Sequence, residues 1–225
     1  MKFLYISLIL SMALSASVLT NCKTTYTPEI VPKKMSVKTK KERFFCLVAP
    51  AVERVHKKLM KRYLSVEEDL KLKQNRVKTD RLKVLFKAQT DKELLEALKP
   101  HPPSIVLAQA AMESAWATSR FFTQANNIFG MWSSNPNEPR IAAGVKRGGT
   151  RTIWLRKFTT IDESVEEYYK LMARGKAFKE FRQVRYESDD VFKIILKLDK
   201  YSEIGDKYAK ALGSMIRYNK LTKYD

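Results

Sequence analysis

Pro102-Pro-Ser-Ile-Val-Leu-Ala-Gln-Ala-Ala-Met-Glu-Ser-Ala-Trp-Ala-Thr-Ser-Arg-Phe121 places one carboxylate, Glu113, near the end of an apolar helical run. The prolines before Ser104 mark a helix start, because proline in a first turn has no N–H to leave unpaired. Ile105, Ala108, Gln109 and Met112 recur at i, i+3, i+4 and i+7, and Glu113 lies one step further along the same stripe. Its carboxylate is therefore expected to face the interior or a cleft. Desolvation disfavours the ionised form, so such a carboxyl keeps its proton near neutral pH and suits a general acid. The competing reading is a carboxylate pairing with Arg120 to stabilise a buried helix end. Ala108, Ala110, Ala111, Ala115 and Ala117 are small enough to let neighbouring backbones approach closely.

Downstream, the composition from Asn126 to Pro139 turns to Asn, Ser, Pro and Gly, which reads as a loop. Ile141 to Phe158 holds Gly148-Gly149 between two β-tolerant runs and predicts a hairpin. Thr160-Ile-Asp-Glu163 has capping-box spacing, Val165, Tyr168, Tyr169 and Met172 continue a helical stripe, and Gly175 is a natural stop. Further helices are expected from Lys176 to about Tyr186, from Asp189 to Leu198 and from Ile204 to Tyr218. Upstream, apolar positions between Phe44 and Phe86 predict two or three amphipathic helices, and Thr90-Asp-Lys-Glu93 caps a short one ended by Pro100. The fold class is α+β, predominantly helical, with one small β-hairpin behind an N-terminal helical extension over 43–99.

Met1-Lys2 followed by the apolar stretch Phe3 to Leu19 reads as an export signal over 1–21, too short and Ser-rich for a permanent membrane span. Leu19-Thr20-Asn21-Cys22 resembles a lipobox in its Leu and Cys but not in Asn21, so a lipid anchor at Cys22 stands against ordinary signal cleavage. Residues 22–42, with Pro28 and Pro32 and no apolar period, are expected to be a flexible tether. The only other cysteine is Cys46, so a Cys22–Cys46 bridge is the one disulfide available; a buried free thiol is the expectation. His56 and His101 stand without ligand-spaced partners, so neither a metal nor another cofactor is expected.

Of the net charge of +19, Lys2 leaves with the signal, and the exported chain carries +18. A field of that sign attracts nucleic acid, anionic lipid or acidic cell-wall polymer. Export and the lack of a recognition motif argue against nucleic acid. Cell-wall polymer and, through Cys22, a membrane remain as partners, against the plainer reading of a solvated basic surface. The mature chain is long enough for one sizeable core and is expected to be monomeric.

From Pro102 onward the chain resembles the Bax-like branch of bacterial glucosaminidases, which also includes the flagellar peptidoglycan hydrolase domain. The resemblance lies in four blocks: Pro102 to Phe121, Asn126-Asn-Ile-Phe-Gly130, Phe158 to Tyr168, and Tyr201-Ser-Glu-Ile-Gly-Asp-Lys-Tyr208. Phe44 to Val55 resembles the helical extension of that branch. The resemblance implies a lysozyme-like domain over 100–225 that hydrolyses β-1,4 bonds next to N-acetylglucosamine, in peptidoglycan, within the periplasmic envelope. Glu113 matches the catalytic acid, Asn127, Phe129 and Gly130 the adjoining loop, and Tyr201 a cleft tyrosine that bonds sugar or water. Trp132 is a candidate sugar contact, with cleft wall or core as the alternative. Ser114 has no histidine partner and reads as a helix-end hydrogen bonder.

One departure matters. Arg140 to Phe158 contains no Asp or Glu, whereas many relatives carry a second carboxylate on the hairpin. An inverting base would have to be Glu138 or Asp162; a substrate-assisted route needs only Glu113 and an orienting group such as Tyr201. Lysozyme or lytic transglycosylase chemistry, or a catalytically silent wall-binding lipoprotein, are the rival outcomes.

Overall fold

The computed structural model describes residue 22 and residues 25–147 and 151–225; the proposed signal segment and the hairpin tip with Gly148-Gly149 lie outside the described residues. Helix α1, Val37–Lys71, is 35 residues long and begins where the Ser36 side chain accepts from the Thr39 N–H. It starts inside the expected tether, and the first break in 43–99 falls at 72–75, so Phe44 to Phe86 holds two helices. Pro50 sits within it and removes one backbone hydrogen bond. Flanking Val48, Ala49, Ala51 and Val52 are buried, and each valine contributes about 1.5–3 kcal/mol, enough to carry the helix through.

Next come α2, Arg76–Phe86; α3, Asp91–Leu98; α4, Pro103–Glu113; and α5, Arg120–Ala125. Strands β1, Arg140–Arg147, and β2, Arg151–Arg156, pair antiparallel with Ile141 opposite Leu155 and a bulge between Ala142 and Lys146. Gly144 lies in that bulge at φ +77°. The chain closes with α6, Ile161–Arg174; α7, Lys179–Glu187; α8, Val191–Ile195; and α9, Asp206–Tyr218, with short 3₁₀ turns at Lys176–Phe178, Asp199–Tyr201 and Leu221–Tyr224. The architecture is the lysozyme-like, mostly helical α+β body expected, with one small hairpin.

Helix α4 is central. Every residue from Pro103 to Ala111 is buried, so only the last two residues of the helix, Met112 and Glu113, reach the surface and the apolar stripe is only part of its contact surface. Its alanines let α1, α9 and the last 3₁₀ turn pack around it. The main core joins Phe44, Val48 and Val52 of α1 to Ile105 and Leu107 of α4, Val165 and Met172 of α6, and Leu212 of α9. The start of the extension, Phe44 to Val55, thus shares one core with residues 100–225, while Tyr63, Val66, Ala88, Leu94 and Leu98 form a second, smaller cluster.

The N-terminal segment is stapled to this body twice. Cys22 and Cys46 form a disulfide, which corrects the expectation of a buried free thiol at Cys46. The same bond occupies the Cys22 sulfur on which the lipid anchor was expected. Arg43, fully buried, donates to the carbonyls of Thr27, Pro28 and Ile30 at 2.9–3.2 Å. Bonded at these places, Cys22, Thr27, Pro28 and Ile30 are not parts of the free tether the composition suggested.

Candidate active site

Helix α4 stops at Glu113, near the end of the helical run as the sequence suggests. Ser114 is the C-cap, and Ala115, Trp116 and Ala117 follow at φ +51°, +63° and +60°. A left-handed non-glycine residue costs about 1–2 kcal/mol, so three in succession need outside support. The Ser114 hydroxyl donates to the Ala110 carbonyl at 2.5 Å and accepts from the Ala117 N–H at 2.8 Å, the helix-end role expected of it. The fourth bond of Arg43 reaches the Ala117 carbonyl at 2.6 Å, and the Trp116 ring packs edge-on against Phe44 at 5.2 Å. The N-terminal helix therefore clamps the turn that points Glu113 outward. Arg120 instead bonds the Ala142 carbonyl and Gln124, leaving the pairing once weighed for Glu113 unmade.

Glu113 opens into a cleft of about 920 Å³ that is also lined by Phe129, Gly130, Trp132 and Tyr201. Behind it stands a chain of buried polar groups. The Tyr208 hydroxyl donates to Glu113 Oε1 at 3.1 Å, and Gln109 Nε2 donates to the Tyr208 oxygen at 3.1 Å. The Tyr168 hydroxyl donates to Gln109 Oε1, and His101 Nε2 lies 3.0 Å from the Tyr168 oxygen. Tyr168 has spent its single hydrogen on Gln109, so His101 must donate through Nε2. Its Nδ1 is left bare, buried and without a partner. Burial, then the charges of Arg185 and His56, push the His101 pKa well below its ordinary value and keep the ring neutral.

Burial raises the Glu113 carboxyl above the usual carboxylate range, against the pull of the Tyr208 hydrogen bond. With Oε1 engaged by Tyr208, the acidic proton belongs on the other oxygen. Tyr201 stacks on Tyr208 at 5.3 Å, and burial, followed by the charges of Tyr208 and Glu113, holds its hydroxyl protonated. The site can thus donate a proton into the cleft beside a neutral phenol.

The other expected residues divide. Gly130 needs its left-handed φ of +64° at the cleft edge, Phe129 stacks on Tyr168 at 4.1 Å, and Trp132 is 62% exposed while bridging to Leu155. Asn127 is buried below the cleft rather than lining it. Its amide donates to the Met131 and Arg156 carbonyls, both at 2.9 Å, and accepts from the Met131 N–H at 2.8 Å. With these polar atoms engaged, it braces the loop against β2 and is not a sugar contact. Asp162 is not in the cleft either: at the start of α6 it takes two hydrogen bonds from Arg54 at 2.8 and 2.9 Å. Glu138 sits behind Arg156, 3.2 Å from its Nε, outside the cleft lining.

Besides Glu113, the carboxylates that do reach the cleft are Glu167 and Glu203, neither of them expected. Burial pushes Glu167 up, but hydrogen bonds and charge from Arg156 and Lys170 outweigh it and hold the group ionised. The sequence carried a usable signal for Gln109, four residues before Glu113 on the same stripe, and for Tyr208 in the late tyrosine block. It carried none for His101, whose partners are distant in the chain.

A helical body that sets one raised-pKa acid at the edge of an open cleft, with a two-stranded hairpin, is a lysozyme-like arrangement. A family profile described as mannosyl-glycoprotein endo-beta-N-acetylglucosaminidase matches residues 90–221, and the chain belongs to that glucosaminidase family. Protein bax of Escherichia coli strain K12 is 32% identical over 149 residues, which cover 62% of this chain and 52% of that protein. Exo-glucosaminidase LytG of Bacillus subtilis strain 168 is 27% identical over 139 residues, covering 55% of this chain and 46% of that protein. The chain therefore spans about half the length of these curated relatives. The catalytic domain of the autolysin Auto from Listeria monocytogenes superposes with a TM-score of 0.53 at 18% identity, over 86% of this chain and 92% of that domain, a likeness of fold.

Proposed function

We propose that the chain is an exported, monomeric β-N-acetylglucosaminidase that hydrolyses β-1,4 linkages at N-acetylglucosamine in peptidoglycan, with Glu113 as general acid. The observation that carries this reading is the Glu113 carboxyl itself, raised by burial, bonded from behind by Tyr208 and open to a cleft of sugar-chain size. Family membership and the printed names of the relatives, glucosaminidase and autolysin, support the substrate class. The site of action is the cell envelope. Among the described residues no helix is long and apolar enough to cross a membrane.

The route is substrate-assisted. The proton on Glu113 passes to the glycosidic oxygen as the C1–O bond breaks, while the carbonyl oxygen of the sugar's N-acetyl group bonds to C1. Water then attacks C1 as the bond between C1 and the acetamido oxygen breaks, giving its proton to the Glu113 carboxylate and restoring both the acid and the N-acetyl group. Tyr201 is suited to orient the acetamido group. Two observations favour this route over an inverting one: the hairpin carries no carboxylate, and Glu167 is held in ion pairs. Glu203, also at the cleft, is the remaining alternative as a base.

The test is purified protein on isolated sacculi, with product ends read by mass spectrometry. N-acetylglucosamine reducing ends that vanish in Glu113→Gln are the expected result. Muramic acid ends would mean a lysozyme, anhydro-muramic products a lytic transglycosylase, and salt-sensitive binding without soluble products a silent wall-binding protein.

A further inference from the structure

The cleft continues beyond the reacting acid. Arg174 and Lys87 line it, and the same two residues line an adjoining cavity of about 210 Å³ whose wall includes Lys176, Lys179 and Arg182. Several of these cations are already engaged: Lys179 pairs with Glu93 at 3.3 Å, and Arg182 donates to the Met172 and Gly175 carbonyls at 3.1 and 2.7 Å. Arg174, Lys87 and Lys176 make no ion pair among the described residues. Arg174 is the last residue of α6, held half-buried where the helix passes into the 3₁₀ turn at Lys176. Lys87 caps α2 in a left-handed conformation, φ +57°, and buried Ala88 follows with its N–H on the Lys83 carbonyl at 2.9 Å. The same wall carries two carboxylates, but Glu93 is paired with Lys179 and Glu96 with Lys92, so two separate elements, one of them in the N-terminal extension, bring a net excess of positive charge to one opening off the cleft.

We propose that this opening is a subsite for the carboxylates of the peptide stem carried by the muramic acid neighbouring the cleaved N-acetylglucosamine. The inference rests on the peptidoglycan reading above and adds to it the part of the substrate that is not sugar. A glycan lying in the cleft projects its lactyl-linked peptides sideways, and those peptides end in carboxylates. A guanidinium with no acid of its own, beside an ammonium on a short cap, offers charge-assisted hydrogen bonds to such groups. Arg174 and Lys87 stand where the cleft meets the adjoining cavity, and neither bonds Glu113, so they bind the stem without entering the chemistry. The extension then has a second task besides packing: Lys87 lets it read substrate.

The experiment compares two substrates that differ only in the stem: peptidoglycan strands with their peptides, and the same strands stripped by an amidase. Arg174→Gln combined with Lys87→Gln is expected to lower kcat/KM about tenfold on peptide-bearing strands, and to leave stripped strands unaffected. Wild-type preference for peptide-bearing strands is expected to fade at about 0.5 M salt, where exposed charges are screened. A control, Lys61→Gln with Lys71→Gln, removes the same charge from α1 and leaves both rates unchanged. Equal loss on both substrates, no loss on either, or an equal effect from the control overturns the subsite. Wild-type cleavage of both substrates with no discrimination sinks the subsite alone, whereas cleavage of neither removes the hydrolase reading and the subsite with it.

Discussion

The Tyr208 hydroxyl donates to Glu113 Oε1 at 3.1 Å, and every bond behind it points the same way. From His101 through Tyr168, Gln109 and Tyr208 each group gives a hydrogen to the next and ends on the acid. A one-way chain of this kind fixes the Tyr208 proton toward Glu113, because Tyr208 already accepts from Gln109. Glu113 is thereby held in one orientation, with its other oxygen left for the cleft. The chain also tempers the acid, since burial raises its pKa and the hydrogen bond from Tyr208 lowers it.

Tyr208→Phe removes the lowering contribution and keeps most of the burial. The Glu113 pKa then rises further. A general acid must be protonated to work, so activity falls as pH climbs through that pKa, and a higher pKa moves the alkaline limb of kcat/KM to higher pH. The pH profile of purified Tyr208→Phe against wild type reads this directly. A limb that moves to lower pH, or stays in place, would show that the bond does not reach the acid in solution.

Much of the fold was legible because hydrophobic period is local: apart from the short α5, the helices from Thr90 onward, the hairpin and the caps at Thr90 and Thr160 follow from spacing within a few residues. Glu113, Phe129, Gly130 and Tyr201 were found as motif residues and meet in one cleft. Three things were hidden. The left-handed turn at 115–117 is held by Arg43 and Phe44, some seventy residues earlier, so nothing local announces it. Asn127 carries a motif position yet points under the loop, a distinction that depends on where β2 lies. Cys22 reads as a lipobox cysteine or as half of a bridge from sequence alone, and the approach of Cys46 that makes the bridge is set by tertiary packing.

Arg43 is the residue whose loss should be felt furthest. Its guanidinium satisfies four carbonyls, three before the helix and one in the strained turn after Glu113. Arg43→Ala leaves those carbonyls short of donors and releases the turn, at a loss of about 3 kcal/mol. Lysine offers no planar fork and should not rescue it. Urea denaturation measures the first effect. A fall in kcat at fixed folded fraction measures the second, and full activity in a folded Arg43→Ala protein would show that the turn holds Glu113 unaided.

The Cys22–Cys46 bond closes a loop with a sequence separation of 24. Chain-entropy reasoning gives about 3 kcal/mol for a loop of that order. Reduction should therefore lower Tm by several degrees, and the mature, unreduced protein should resist alkylation at both cysteines. An acylated Cys22 in the purified envelope fraction, found by mass spectrometry together with an alkylatable Cys46, would put the sulfur to the other use.

Glu203 separates the two hydrolytic routes. If the sugar's own N-acetyl oxygen attacks C1, no enzyme base is needed in the first step, and Glu203→Gln should alter kcat by no more than about threefold, since that route assigns Glu203 no proton transfer. The first product released then has the β configuration, because two displacements at C1 restore the starting geometry. If Glu203 instead activates water for a single displacement, the same substitution costs 10²-fold or more, roughly the worth of a general base, and the product is the α anomer. Proton NMR of the fresh product gives the anomer before mutarotation, and the variant's rate gives the base. Inversion with a collapsed rate would reassign the mechanism while leaving Glu113 as the acid, because both routes require its proton at the leaving oxygen.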